Sequence, residues 1–267
     1  MQKGEEDGMR EPLLQIKDLT IGFESGQKAV TQVSLSIEQG ETVALVGESG
    51  CGKSMLCRSI LGILPSSAYI EQGKIVLEGQ DMVGMKERQL QKIRGTKIGM
   101  VWQDPVSFLH PSIPIGKQMI EGIRYHRKLS KKQAMEEGIL LLKKMGIEQA
   151  EERFHDYSYK FSGGQLQRIV IGTAIINNPN LLIADEPTTA LDVATQAQIL
   201  QELERIQKEK GMSILLVTHD MAVAFRLAHK IVVMSNGRVI EEGSKEKILH
   251  HPSCAETKRF VEVVKRA

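Results

Sequence analysis

Thr42-Val43-Ala44-Leu45-Val46-Gly47-Glu48-Ser49-Gly50-Cys51-Gly52-Lys53-Ser54 is the stretch that decides how this chain folds. Its first five residues form an apolar run bounded by glycines, which predicts a central strand buried on both faces. Gly47 to Ser54 then fits the pattern G-x-x-x-x-G-K-[ST], and a helix is expected from about Lys53 to Leu61, ending before Pro65. Glycines let the backbone bend so that successive N–H groups point inward at an anion. The helix N-terminus adds partial positive charge. Strand, turn and helix in this order predict a phosphate-binding loop in which Lys53 reaches the β- and γ-phosphates of a nucleotide and the Ser54 hydroxyl ligates Mg²⁺. Cys51 stands at a variable position of the loop. Its thiol is expected to react with a thiol reagent and to be protected by nucleotide, because neighbouring N–H groups and a lysine favour the thiolate.

Outward from the loop, strands alternate with helical patterns. Leu13 to Ile16, Leu19 to Ile21 and Val33 to Ile37 read as early strands, with a turn at Glu24-Ser25-Gly26. Lys74 to Leu77, Ile98 to Trp102, Leu181 to Ala184, Ser213 to Val217 and Ile231 to Met234 read as further strands. Ile199, Leu203 and Ile206 mark one face of a helix between two of them. Such alternation predicts an α/β core, a mostly parallel sheet with helices on both faces. The closely spaced early strands predict an added antiparallel part over residues 13–45. From about Asp104 to Asn177 the patterns are helical without a convincing strand, which predicts an inserted helical lobe, 104–177. A short helical tail is expected over 244–267 and a disordered leader over 1–10, so that 11–267 reads as one domain.

Composition bounds the rest. The chain has 267 residues, and its formal net charge of +2 is too small to argue for nucleic acid or an anionic membrane surface; no nucleic-acid partner is expected, and phosphate binding is expected at a local site. No stretch approaches the roughly 20 uninterrupted apolar residues of a membrane-spanning helix, and the polar start carries no secretory signal. Cys51, Cys57 and Cys254 offer neither an even disulfide count nor metal-ligand spacing. A membrane role would therefore come through a partner.

A second strand carries the complementary chemistry. Leu181-Leu182-Ile183-Ala184 ends in Asp185-Glu186. Asp185 at the strand tip is placed to hold the hydration shell of Mg²⁺, and Glu186, one residue further, to polarise an attacking water.

With these elements on the page, the chain resembles the ABC ATPase family over about Leu13 to Gly243. Phe161-Ser162-Gly163-Gly164-Gln165 is similar to that family's signature LSGGQ, with Phe in first place, and it precedes a helix-like run. The resemblance implies a P-loop NTPase core with an antiparallel β subdomain and an inserted helical subdomain. It also implies that the signature of one subunit closes over the ATP bound by the other, in a head-to-tail dimer. Gln103 resembles the glutamine that touches Mg²⁺ and the attacking water. Ala190-Leu191-Asp192 resembles the loop that crosses the dimer interface, with Asp192 near nucleotide. His219 resembles the switch histidine at the γ-phosphate, and Phe23 the aromatic that stacks on adenine. The implied nucleotide contacts are thus Phe23, Gly47 to Met55, Ser162 to Gln165 and Asp192. Ser54, Gln103 and Asp185 are the implied metal set, and Glu186, His219 and Gln103 the implied catalytic set.

Local sequences place the resemblance in the peptide and nickel uptake branch: Gly47-Glu48-Ser49-Gly50, Leu61-Gly62-Ile63-Leu64-Pro65, Thr188 to Val193, and Asp104-Pro105 followed by Phe108-Leu109-His110-Pro111. Membership implies ATP and Mg²⁺ as ligands and a second ATPase subunit, identical or not. It also implies two integral membrane permeases, an extracytoplasmic substrate-binding protein, and a position on the cytoplasmic face of the membrane. Lack of a cysteine cluster after Cys254 tilts the expected cargo toward nickel or a metallophore over di- or oligopeptides. His250 and His251, being adjacent, are expected to cap a helix and not to bind metal. The competing readings are a non-transport ABC ATPase and a regulatory nucleotide-binding module without hydrolysis.

Overall fold

The computed structural model describes residues 11–189 and 191–266; the expected leader 1–10 and Ala190 lie outside the described residues. In chain order the elements are β1 (Leu14–Phe23), β2 (Lys28–Ile37), β3 (Thr42–Val46), α1 (Lys53–Leu61), β4 (Ala68–Leu77), β5 (Gln80–Asp81), α2 (Glu87–Ile93) and β6 (Ile98–Val101). A run of helices follows: α3 (Pro105–Phe108), α4 (Ile115–Arg127), α5 (Lys131–Lys144), α6 (Ala150–Arg153), a 3-10 turn at Ser158–Lys160 and α7 (Gly163–Ile175). The chain then returns to alternation with β7 (Leu181–Asp185), α8 (Val193–Lys210), β8 (Ser213–Thr218), α9 (Met221–Leu227), β9 (Lys230–Ser235) and β10 (Arg238–Ser244), and closes with α10 (Lys245–His250) and α11 (Ala255–Arg266).

The six-stranded sheet has the order β10-β9-β3-β8-β7-β6, parallel except for the β10–β9 hairpin. Successive side chains of a strand point to opposite faces, and here both faces are covered. Ala44 and Val46 belong to one core with Leu182, Ala184, Ile214 and Leu216, beneath the helical segment, α8 and α9. Val43 and Leu45 belong to a second core with Leu181, Ile183, Leu215 and Val217, which also contains the apolar face of α1 and the other sheet. Two-sided burial is why these strands are uninterrupted apolar runs in sequence. Fully burying each valine, leucine or isoleucine among them contributes about 1.5–3 kcal/mol.

One expected boundary needs correction. The antiparallel sheet is β2-β1-β4-β5, not a block over 13–45. β3 pairs in parallel with β8 and β9, whereas β4 returns after α1 to pair with β1 from Leu14↔Leu77 to Phe23↔Ala68. The two early runs at Leu13 and Leu19 are one strand carrying register shifts between Ile16 and Gly22. Sequence reading also passed over α2, the two-residue β5 and β10. β10 alternates only weakly, because it lies at a sheet edge and carries Glu241-Glu242.

Register places the site. β3, β8, β7 and β6 are adjacent and parallel, with Val46 opposite Thr218, Val217 opposite Asp185, and Ala184 opposite Val101. The residues that follow these strands therefore emerge at one edge of the sheet, the carboxyl edge where open α/β sheets bind ligands. Those residues are Gly47, His219, Glu186 and Gln103.

Candidate active site

The loop after β3 has the conformation its glycines permit. Gly52 has φ 106°, and a Cβ there would stand 2.4 Å from the Ala29 backbone oxygen, so only glycine fits. α1 begins at Lys53, whose ammonium donates to the carbonyls of Gly47 at 2.7 Å and Glu48 at 2.8 Å. The lysine thus folds back over its own loop. A cavity of about 510 Å³ opens above it, lined by Phe23, Gln27, Lys28, Ala29, Ser49, Gly50, Gly52, Lys53, Ser54, Met55, Gln103 and Glu186. Phe23 thus sits on the same cavity as the phosphate loop. Gln27 to Ala29 were not read from sequence. The turn at Gly26 was the available signal, since a hairpin places the residues after it beside those before it.

Gln103 and Glu186, both on the cavity wall, form one hydrogen-bonded cluster with His219. Gln103 Nε2 donates to Glu186 Oε2 at 2.9 Å, Thr189 Oγ1 donates to the same oxygen at 2.8 Å, and His219 Nδ1 lies 3.1 Å from Oε1. Burial pushes the Glu186 carboxyl up, but the Thr189 and His219 hydrogen bonds with the His219 and Lys53 charges outweigh it and leave it below its ordinary value. Glu186 has φ 47°, a left-handed conformation uncommon for a residue with a side chain. Its N–H donates to the Val217 carbonyl at 2.8 Å, which holds that turn at the end of β7. Thr189 is a further member that sequence reading passed over, although it stands in the quoted run from Thr188.

Asp185, at the tip of β7, accepts a hydrogen bond from Ser54 and lines a neighbouring cavity of about 430 Å³ with Ser54, Arg58 and Gln103. Burial pushes its carboxyl above the ordinary range, the Glu186 charge adds to that, and the Ser54 hydrogen bond with the Lys53 and Arg58 charges opposes it. A serine hydroxyl, a carboxylate and a glutamine amide on adjoining walls are oxygen donors suited to a small hard cation. Among the described residues no group of three or more His, Cys, Asp or Glu could hold a metal by itself. Mg²⁺ has no need of one, since it takes one or two protein ligands and fills its sphere with phosphate oxygens and water.

Other expected contacts lie elsewhere. Ser162, Gly163, Gly164 and Gln165 do not line this cavity. Ser162 is the N-cap of α7; its hydroxyl accepts from the Gln165 N–H at 3.4 Å, and Gln165 Oε1 accepts from the Ser162 N–H at 3.1 Å. This reciprocal cap leaves Gly163 and Gly164 as the first turn of an exposed helix end. Asp192, in the loop expected to cross the dimer interface, uses both carboxylate oxygens on Thr195, accepting from its N–H at 2.9 Å and from its hydroxyl at 2.6 Å. It caps α8 and lies off the cavity. Cys51 departs from its expectation. Its side chain is 7% exposed and packs beneath the loop, so the expected ready labelling gives way to a shielded thiol. Gly47 and Glu48 contribute backbone carbonyls to Lys53, and neither lines the cavity.

Known proteins of one family resemble this chain. The family model for ABC transporters matches residues 30–189. The oligopeptide transport ATP-binding protein OppD of Bacillus subtilis is 42% identical over 244 residues, 90% of this chain and 68% of that protein. The dipeptide transport ATP-binding protein DppD of the same organism is 41% identical over 260 residues, 96% of this chain and 78% of that protein. Among solved structures, a dimeric post-hydrolysis state of the ATP-binding cassette MJ0796 with ADP and Pi superposes with a TM-score of 0.77 at 28% identity, covering 87% of this chain and 98% of that one. CbiO1 of Clostridium perfringens, part of an ABC transporter complex, superposes with a TM-score of 0.79 at 28% identity, covering 95% of this chain and 96% of that one. A phosphate loop, an acidic strand end and a separate Ser-Gly-Gly helix start, on a chain with these relatives, make it a member of the ABC transporter family of ATP-hydrolysing cassettes.

Proposed function

We propose that this chain is one of two ATPase subunits that drive uptake of di- or oligopeptides through membrane permeases, and that it does so from the cytoplasmic face of the membrane. The peptide cargo rests on the names of the relatives, which are oligopeptide and dipeptide transport proteins; they lend nothing to the nickel alternative. Among the described residues no helix is long and apolar enough to cross a membrane.

ATP enters the cavity with adenine against Phe23 and its phosphates over the loop. Lys53 turns from the Gly47 and Glu48 carbonyls to the β- and γ-phosphate oxygens. Ser54, Asp185 and Gln103 would hold Mg²⁺, which supplies neutralisation of the phosphate charge. Glu186 is ionised at neutral pH, as its lowered titration requires, and accepts a hydrogen bond from the water aimed at the γ-phosphorus. Gln103, Thr189 and His219 aim the carboxylate by holding both of its oxygens. Ser162, Gly163 and Gly164 of a second subunit close over the γ-phosphate, since this chain's own copies stand off its cavity. Hydrolysis and product release part the two subunits, and the helical segment 104–177 passes that motion to the permeases. A non-identical ATPase can take the place of the second copy, and an extracytoplasmic binding protein delivers the peptide.

The Gln103–Glu186–His219 cluster at the phosphate cavity carries this reading and speaks against a regulatory module that binds without hydrolysing. Its test is Glu186→Gln. The variant should bind ATP within about twofold of wild type, lose at least about 100-fold in turnover, and run as an ATP-stabilised dimer on gel filtration. Wild-type turnover in Glu186→Gln would remove Glu186 from the chemistry.

A further inference from the structure

We infer that Arg153 is a positioning residue for the signature turn, which it clamps from behind. The inference rests on the proposed function to the extent that the turn acts on the partner's ATP. The guanidinium lies over the Phe161 ring, 4.1 Å from its centroid. One edge nitrogen, Nη1, donates to Asp156 Oδ2 at 3.3 Å. The other, Nη2, donates to the Lys160 carbonyl at 3.2 Å and to Gln165 Oε1 at 3.5 Å. Lys160 also pairs with Asp156 at 2.8 Å. Face and edge of one planar group thus touch residues on both sides of Ser162-Gly163-Gly164. A guanidinium can do this because it stacks and donates in a plane at once; an ammonium cannot.

The contact to Gln165 matters most. Gln165 Oε1 also accepts the Ser162 N–H, so one carbonyl is shared by the helix cap and the clamp. Arg153 therefore adds a long second contact to the Gln165 amide, whose shorter bond to the Ser162 N–H makes the cap that sets the direction of the first N–H groups of α7. The clamp is itself anchored. Arg153 ends α6, the next residue Phe154 is 2% exposed within the core of the helical segment, and Phe161 is 8% exposed. A movement of that segment relative to the sheet consequently carries the anion turn as a rigid unit.

Arg153 touches neither the phosphate cavity nor any group on it, so its loss should spare first binding of nucleotide and impair what the turn does afterwards. The test uses the full chain with Arg153→Met, which keeps the apolar stem, Arg153→Lys, which keeps the charge, and Phe161→Leu, which removes the ring face. Amide hydrogen exchange over 158–166 should rise about 10-fold in Arg153→Met, with 181–189 unchanged. Turnover at saturating ATP should fall about 10-fold, less than the roughly 100-fold that a misplacement of about 1 Å can cost. Affinity for a fluorescent ATP analogue should stay within about twofold. Arg153→Lys should recover part of the loss and Phe161→Leu should show a smaller one, about threefold. Unchanged exchange over 158–166 in Arg153→Met overturns the clamp whatever happens to turnover. Raised exchange with wild-type turnover, or nucleotide affinity falling in step with turnover, overturns its role in the reaction. A wild-type chain without turnover would refute the proposed function and leave the clamp to be decided by exchange alone.

Discussion

Gly164→Ala is the substitution whose outcome the packing fixes most sharply. Gly164 lies in the first turn of α7, and a Cβ there would stand 2.5 Å from Thr195 Cγ2. That methyl cannot simply swing away, because Thr195 Oγ1 is bound to Asp192 Oδ2 at 2.6 Å in the cap of α8. Rotating the side chain would break a hydrogen bond to a charged group, worth about 1.5–3 kcal/mol. Leaving it in place is overpacking, at a cost of about 1–3 kcal/mol. Against either stands the better helix propensity of alanine, at most about 1 kcal/mol and less near a helix end. The net loss should be about 1–2 kcal/mol, read as a lower urea midpoint at an unchanged slope. Thr195→Ser removes the obstructing methyl and keeps the hydroxyl for Asp192. The double variant Gly164→Ala/Thr195→Ser should therefore regain wild-type stability or slightly exceed it, giving a coupling energy of about 1–2 kcal/mol. If Thr195→Ser leaves the loss undiminished, the close approach of α7 to α8 is not why glycine stands there. Turnover then adds a separate reading. A double variant with restored stability and depressed turnover would assign the bare glycine to phosphate approach.

Two further outcomes follow from groups outside the reaction. Burial of Glu241 raises its carboxyl, but hydrogen bonds from Ser253 N–H and Oγ and from Cys254 N–H overcome this and hold it at about 2, below the ordinary 4.5. A depressed carboxyl contributes stability in full above its unfolded value and loses it as pH falls from about 4.5 toward 2, so wild type should lose up to roughly 3 kcal/mol more than Glu241→Gln over that window in urea titrations. Loss of equal size in both would exclude Glu241 as the pin between β10 and the closing helices. Thiol titration of the native chain should find Cys254 first, since Cys51 and Cys57 are buried. Burial also pushes the Cys57 thiol up, so Cys51 and Cys57 should become reactive only in denaturant. Labelling of Cys51 at the rate of Cys254 in the folded chain would contradict its placement under the loop.

Reading ahead of the fold worked best where the chemistry is contiguous. Gly47 to Ser54 is a local backbone shape, and shape over eight residues is written in glycines and one lysine. The two-sided burial of β3, β7 and β8 is equally local, because uninterrupted apolar runs need no knowledge of what covers them. Phe161 to Gln165 could be recognised as a helix start, and its N-cap is a serine as such a start favours. Element type was therefore legible from neighbours in sequence, whereas assignment of β3 to a sheet was not, because strand pairing is settled by edges far along the chain.

Contiguous residues thus determined the nucleotide loop, the acidic strand end and the α/β class, each being a matter of spacing along the chain. Only the tertiary structure decided that Gln103, Thr189 and His219 converge on the two oxygens of Glu186, that Asp192 turns to its own helix, and that Arg153 braces Phe161 and Gln165. The reason is register. Parallel strands from distant parts of the chain stop at one sheet edge because hydrogen bonding aligns their ends, and that alignment has no signature within any single segment.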